Sequence, residues 1–167
     1  AEGYNTTASG FFSHASNRNT VASATCAHAV GEGTQATADA AASEGFYSVA
    51  SGFAGHAEGY ETTASAYASS AGGYFTVADQ AYQTAVGKYN VSSQTGVLLS
   101  VGNGTALDAR SDALQVHEDG HAVLSGDLEF AGGISLQDTL TNLNDRITAL
   151  EAAVEALLQE VSGSSND

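Results

Sequence analysis

The chain has no proline, methionine or tryptophan, and one cysteine. A lone thiol excludes an intrachain disulfide, and Cys26 is expected as a small buried hydrophobe. No leucine precedes Leu98 and no isoleucine precedes Ile134. A buried Leu-sized side chain contributes roughly 1.5–3 kcal/mol and alanine far less. The first half therefore predicts a core too thin for one chain to offset its ordering entropy, and apolar surface shared between chains. Basic residues are also scarce: 4 against 19 acidic ones, a net charge of −15. That balance argues against nucleic acid and anionic membranes as partners and fits a self-repelling surface or a saline setting. No apolar run of about 18 residues occurs, so no membrane insertion by this segment is expected.

What is present is a repeat. From Ala1, the chain divides without gaps into units of 14 residues: AEGYNTTASGFFSH, ASNRNTVASATCAH, AVGEGTQATADAAA, SEGFYSVASGFAGH, AEGYETTASAYASS, AGGYFTVADQAYQT and AVGKYNVSSQTGVL. Position one of the unit is Ala except for Ser43, and position eight is Ala except for Ser92. Position three is Gly except for Asn17, and position six is Thr, Ser or Asn throughout. Fourteen residues are too few for a helix pair but suit one coil of a β-solenoid with two short strands and two turns. The Gly/Asn position supplies a turn with positive φ. The two Ala positions, half a coil apart, are placed one on each strand, pointing inward. Coils stacked at strand spacing, about 4.8 Å, give a segment roughly 30 Å tall.

The recurring Ala-x-Gly and Thr-x-Ala-Ser pieces, such as Ala1-Glu2-Gly3 and Thr20-Val21-Ala22-Ser23, resemble the YadA-like head repeats of trimeric autotransporter adhesins, a module reused in some viral tail fibres. The resemblance covers about residues 1–90. It implies a left-handed parallel β-roll with three parallel chains around one axis. Gly87-Lys88-Tyr89-Asn90 and the later Val101-Gly102-Asn103-Gly104-Thr105 and Ala109-Arg110-Ser111-Asp112-Ala113 look like the connectors that follow such heads. Residues 91–133 are read as a β-rich neck, with strands at Val97–Val101, Ala113–Val116 and Ala122–Ser125 around the turn signal Asp119-Gly120.

From Leu136 the period changes. Leu136, Leu140, Leu143, Ile147, Leu150, Val154, Leu157 and Val161 alternate spacings of four and three, a heptad seam. Leu at d with mainly β-branched residues at a favours two strands. Arg146-Ile147-Thr148-Ala149-Leu150-Glu151, however, resembles a short trimerisation motif in which Arg146 meets Glu151 of a neighbour. The expected architecture is mostly β: a trimeric parallel β-roll (β-solenoid) of 14-residue repeats over 1–90, a neck over 91–133, a parallel trimeric coiled coil over 134–161 and a flexible tail over 162–167.

The chemistry on offer is thin. His117-Glu118-Asp119-Gly120-His121 spells the zincin motif H-E-x-x-H. That motif needs a helix to converge its histidines, and here Gly120 and flanking β-like runs predict a hairpin tip. His14, His28 and His56 share one repeat position, so an axial ion site is a candidate should that position face a threefold axis. The Thr position suggests either a hydrogen-bonded structural ladder or, as a different class of function, an ice-matching rank. Tyr4, Phe46, Tyr60 and Tyr74 share another position and are candidate ligand contacts, because exposed rings offer large area with few rotamers to freeze. Asn5, Asn90 and Asn103 head glycosylation sequons. No nucleophile–base pair, phosphate loop or paired-carboxylate cleft is identifiable, and no cofactor is expected. The expected function is therefore non-enzymatic: a homotrimeric extracellular fibre segment, an adhesin or a viral tail fibre, contacting a surface receptor, glycan or matrix protein.

Overall fold

The structure, a computed structural model, describes residues 1–130 and 133–163. Residues 1–125 form one compact unit and the residues from Gly126 onward a second. The first is a parallel β-solenoid of about seven turns, in which each of the first six coils contributes one long and one short strand and the seventh a long strand alone. The long strands, Glu2–Tyr4, His14–Arg18, His28–Glu32, Ala42–Phe46, His56–Tyr60, Ser70–Tyr74 and Thr84–Lys88, stack in chain order. The short strands, Thr7–Ala8, Val21–Ala22, Gln35–Ala36, Val49–Ala50, Thr63–Ala64 and Val77–Ala78, form the opposite sheet in the same order.

The register explains the repeat. Ala15 pairs with Ala29, Ala57 with Ala71, and Ala22 with Ala36, so every residue lies over its equivalent 14 positions on. Side chains alternate across a strand. Repeat positions one and eight thus point into the coil, and from Ala15 to Ala85 they are fully buried. Position six is buried beside them, at Thr20, Thr34, Ser48, Thr62, Thr76 and Asn90. A fourth buried position, thirteen, is masked in the sequence by its chemical variety: Ala27, Ala41, Ser69, Gln83 and Val97.

This core closes within a single chain. The expectation that the Ala-rich faces await a neighbouring chain is therefore corrected: they are covered by the facing sheet of the same coil. Such small side chains contribute little transfer energy. The rungs add hydrogen bonds between successive coils, for example Val49 N–H to Thr62 O at 2.8 Å and His56 N–H to Ser69 O at 2.9 Å. Each is worth a net ~0.5–1.5 kcal/mol.

Both turns of the coil carry a left-handed residue. At position five these include Tyr47 (φ 51°), Glu61 (49°), Phe75 (53°) and Tyr89 (45°), and at position twelve Ala54 (52°), Ala68 (50°) and Tyr82 (64°). Their N–H groups donate back to the preceding coil, as Glu61 does to Phe46 O at 2.8 Å and Ala68 to Phe53 O at 2.8 Å. The Gly at position three was rightly read as a positive-φ site, but it lies within the long strand, as Gly31 paired with Gly45 shows, and not in a turn; the two actual turn sites were not legible, because residues other than Gly and Asn rarely adopt αL. Cys26 sits at one of them (φ 59°) and is exposed, which corrects the expectation of a buried thiol.

After Lys88 the register slips by one residue: Thr84 pairs with Leu99 and Gly87 with Gly102. Val97–Asn103 thus extends the long-strand sheet by a further parallel rung, which the strict 14-residue frame had placed one residue out of step. Asp112–His117 then adds antiparallel to it, followed by Ala122–Leu124. Asn90 closes the stack: its Oδ1 accepts from Val77 N–H at 2.7 Å, and its Nδ2 donates to Val77 O, Val91 O and Ser100 Oγ. Arg110 Nη1 donates to Phe75 O at 2.9 Å and Asn90 O at 3.0 Å.

In the second unit Glu129–Phe130 pairs antiparallel with Ile134–Ser135, and helix α1 spans Leu136–Gly163. Ser135 Oγ accepts from Asp138 N–H at 2.9 Å, a side-chain cap on the first turn, and Asp127 Oδ1 accepts from Gln137 N–H at 3.0 Å. A hydrogen bond from the Ser135 hydroxyl and, after it, the one from Gln137 N–H hold the Asp127 carboxyl below the usual carboxylate range. Of the expected flexible tail, Ser162 and Gly163 belong to α1 and the rest lies outside the described residues. No helix among the described residues is long and apolar enough to cross a membrane.

Candidate interaction surface

Since position one faces inward, positions fourteen, two and four of each coil face outward on the long-strand sheet. At position four, equivalent residues one coil apart bring aromatic rings into a stack. Phe46 and Tyr60 lie 5.0 Å apart at 12°, and Tyr60 and Tyr74 5.0 Å apart at 22°. The left-handed turn at position five adds a second rank. Phe75 and Tyr89 stack at 5.1 Å and 9°, while Tyr47 meets Phe46 edge-on at 4.6 Å and Phe75 meets Tyr74 edge-on at 4.7 Å. Six rings thus interlock along this edge of the solenoid.

The ring-on-ring stacking directs part of each face at its neighbour and leaves the rest at the surface; Tyr74 retains 44% exposure. Burial within the ridge, with Glu61 beside it, raises the Tyr60 hydroxyl above the usual phenol range; burial and the Tyr74 hydrogen bond do the same for Tyr89. Tyr4, the fourth candidate at this position, stands apart in the first coil, 73% exposed. Between them the position holds Arg18 and Glu32, paired at 3.3 Å. The opposite turn carries a ridge the sequence reading missed, Phe53 stacked on Tyr67 at 5.3 Å and Tyr67 edge-on to Tyr82 at 5.5 Å. Its signal was present in the chain, aromatics at positions eleven and twelve, but two of the seven units carry Thr at position eleven and one carries Asp.

The remaining candidates separate. His14 and His28 stack at 5.0 Å, but Ala42 lies between His28 and His56 in the register. His28 faces Glu44 at 3.9 Å and His56 faces Glu58 at 3.6 Å. Among the described residues of one chain, no group of three or more His, Cys, Asp or Glu is placed to hold a metal ion. The Thr position is internal, which removes the rank proposed to match ice. Its hydrogen-bonded ladder is partial: Thr62 Oγ1 donates to Ser48 Oγ at 2.9 Å, whereas Thr20 Oγ1 and Thr34 Oγ1 are buried without a partner. Asn5 and Asn103 are exposed, but Asn90 is fully buried, so the folded chain has no room for a glycan there. His117 and His121 lie on a hairpin rather than a helix, where the spacing does not require them to meet, and their rings stack at 4.0 Å.

On α1 all eight seam residues, Leu136, Leu140, Leu143, Ile147, Leu150, Val154, Leu157 and Val161, are exposed, and Leu158 beside them is exposed too. No protein-family model matches the chain, and comparison with curated proteins and with solved structures finds no match.

Proposed function

We propose that this chain is a segment of a homotrimeric, extracellular adhesive fibre, with α1 as a parallel three-stranded coiled coil and the solenoid as the contact-making head. The observation that carries this is the uncovered heptad seam. Eight apolar residues on one helical stripe lie open to solvent. Burying each would contribute roughly 1.5–3 kcal/mol. Arg146 and Glu151 flank the seam at spacings that let Arg146 of one chain meet Glu151 of the next. The resemblance of the 14-residue repeat to YadA-like heads supports three chains rather than two. The aromatic ridges then recur around the axis, and weak contacts to a glycan, receptor or matrix protein add as multivalent binding. Charge supports a non-nucleic-acid partner. A viral tail fibre uses the same physics and differs only in what anchors the assembly.

Sedimentation equilibrium of the full chain should give three times the chain mass, and Ile147→Glu should give single chains that keep the β signal in circular dichroism. A monomeric wild-type chain at micromolar concentration would remove the proposal.

A further inference from the structure

We propose that the cavity between the last coils and the closing hairpin binds an organic cation on a short apolar stem, the chemistry of a lysine side chain. The hairpin that follows strand Asp112–His117 is tied to the loop before Val97 by one backbone bond, Glu118 N–H donating to Gly96 O at 2.9 Å. These two residues line a cavity of about 210 Å³ together with Gln80, Tyr82, Val97 and Leu98. Pockets for drug-sized ligands span roughly 300–1,000 Å³. This smaller one has room for a single side chain or a small amine. Gly96 falls at position twelve of the repeat, which one coil earlier holds Tyr82. Its φ of 77° suits a glycine, and the missing side chain leaves the space open.

The lining has three characters. Val97 and Leu98 supply aliphatic surface. Tyr82 meets Tyr67 edge-on at 5.5 Å and keeps 65% exposure, so its ring remains available to a ligand. Glu118 supplies charge: its Oε1 lies 3.4 Å from where a Cβ on Gly96 would stand, which sets the carboxylate at the cavity wall. Among the described residues no ion pair or side-chain hydrogen bond occupies that carboxylate. Gln80 Nε2 is turned to Asp79 Oδ1 at 3.4 Å, which leaves Gln80 Oε1 as a further acceptor. The 4 basic residues, Arg18, Lys88, Arg110 and Arg146, all lie outside the lining. An anion would therefore meet Glu118 with nothing to offset it, and an inorganic cation would forgo the ring and the aliphatic wall. An alkylammonium uses every part. Its charge pairs with Glu118 and lies near the Tyr82 ring, an N–H reaches Gln80 Oε1, and the stem runs along Val97 and Leu98. The net charge of −15 favours the approach of such a ligand.

The test is saturation-transfer difference NMR on the full chain with Nα-acetyl-lysine methylamide, n-butylammonium, Nα-acetyl-norleucine methylamide and methyl glucoside. Both cations should saturate, with Kd of about 1–10 mM, the scale for so few contacts. Tighter binding of the lysine derivative would mark a basic protein as the source of the cation, and equal binding a free amine. Glu118→Gln should weaken both about tenfold or more, and Tyr82→Ala about three- to fivefold. Glu2→Gln removes the same charge in the first coil and should bind as wild type. The proposal is overturned by absence of saturable binding, by norleucine or glucoside binding as well as the cations, or by unchanged binding in Glu118→Gln. A loss in Glu2→Gln equal to that in Glu118→Gln would also overturn it, since diffuse charge would then suffice. None of these outcomes depends on whether the chain is a trimer.

Discussion

A Cβ on Gly59 would lie 2.2 Å from the carbonyl oxygen of Gly73, the equivalent residue one coil on. The backbone there also has φ 113°, so the glycine is required twice, by the dihedral and by the neighbouring coil. The obstacle is backbone and cannot rotate aside. Gly59→Ala should therefore destabilise the solenoid by about 3 kcal/mol, summing overpacking and left-handed strain. Urea unfolding followed by circular dichroism checks it; a loss below about 1 kcal/mol would mean the coils separate locally at little cost.

Asn90 shows how the stack ends. In lower coils the N–H at position seven finds a backbone carbonyl of the next coil, as Thr63 finds Thr76 O at 2.9 Å. Val77 N–H donates to the Asn90 side-chain oxygen instead, at 2.7 Å. Asn90→Ala leaves that N–H and Ser100 Oγ short of a partner, at a cost of about 2–3 kcal/mol. Secretion from a glycosylating host should yield folded protein modified at Asn5 or Asn103 and unmodified at Asn90, read by peptide mass mapping.

The aromatic ridge makes two predictions with one cause. Phe46→Ala removes a stacked contact to Tyr60 and an edge contact to Tyr47 and should cost about 2 kcal/mol. The raised Tyr60 and Tyr89 hydroxyls mean that, in alkali, the folded chain holds protons the unfolded chain has released. Their contribution to stability is complete below about pH 10, the unfolded phenol value, and is lost as pH rises through the folded values. Thermal melts should fall from pH 9 to 11, and tyrosinate absorbance at 295 nm should include groups that ionise late; ionisation of all seven tyrosines near pH 10 would contradict the ridge.

Arg146 and Glu151 test the register of the coiled coil. Arg146→Glu alone should weaken assembly by setting like charges across the seam, and adding Glu151→Arg should restore it by exchanging the signs. Sedimentation velocity reads both, and a double variant no better assembled than the single would place these side chains away from each other.

Repeat length, parallel stacking and the inward direction of positions one and eight were legible in the chain because each is a periodic constraint acting on small residues. Position three was legible for a related reason: the φ is positive and a carbonyl of the next coil crowds a Cβ there, so glycine recurs in every unit but the one that carries Asn17. The switch to a helix at Leu136 was legible from spacing alone. What sequence could not show was decided where different side chains meet one backbone demand. The left-handed sites hold Tyr, Glu, Phe, Ala and Cys alike, since inter-coil hydrogen bonds enforce a conformation that local preference opposes. Cys26 lies outside for that reason. The Ala core closes within one chain because two sheets of tiny side chains approach closely, which composition alone does not reveal. The one-residue slip after Lys88, and the meeting of His117 with His121 across a tight turn, belong to three-dimensional pairing, which no linear pattern encodes.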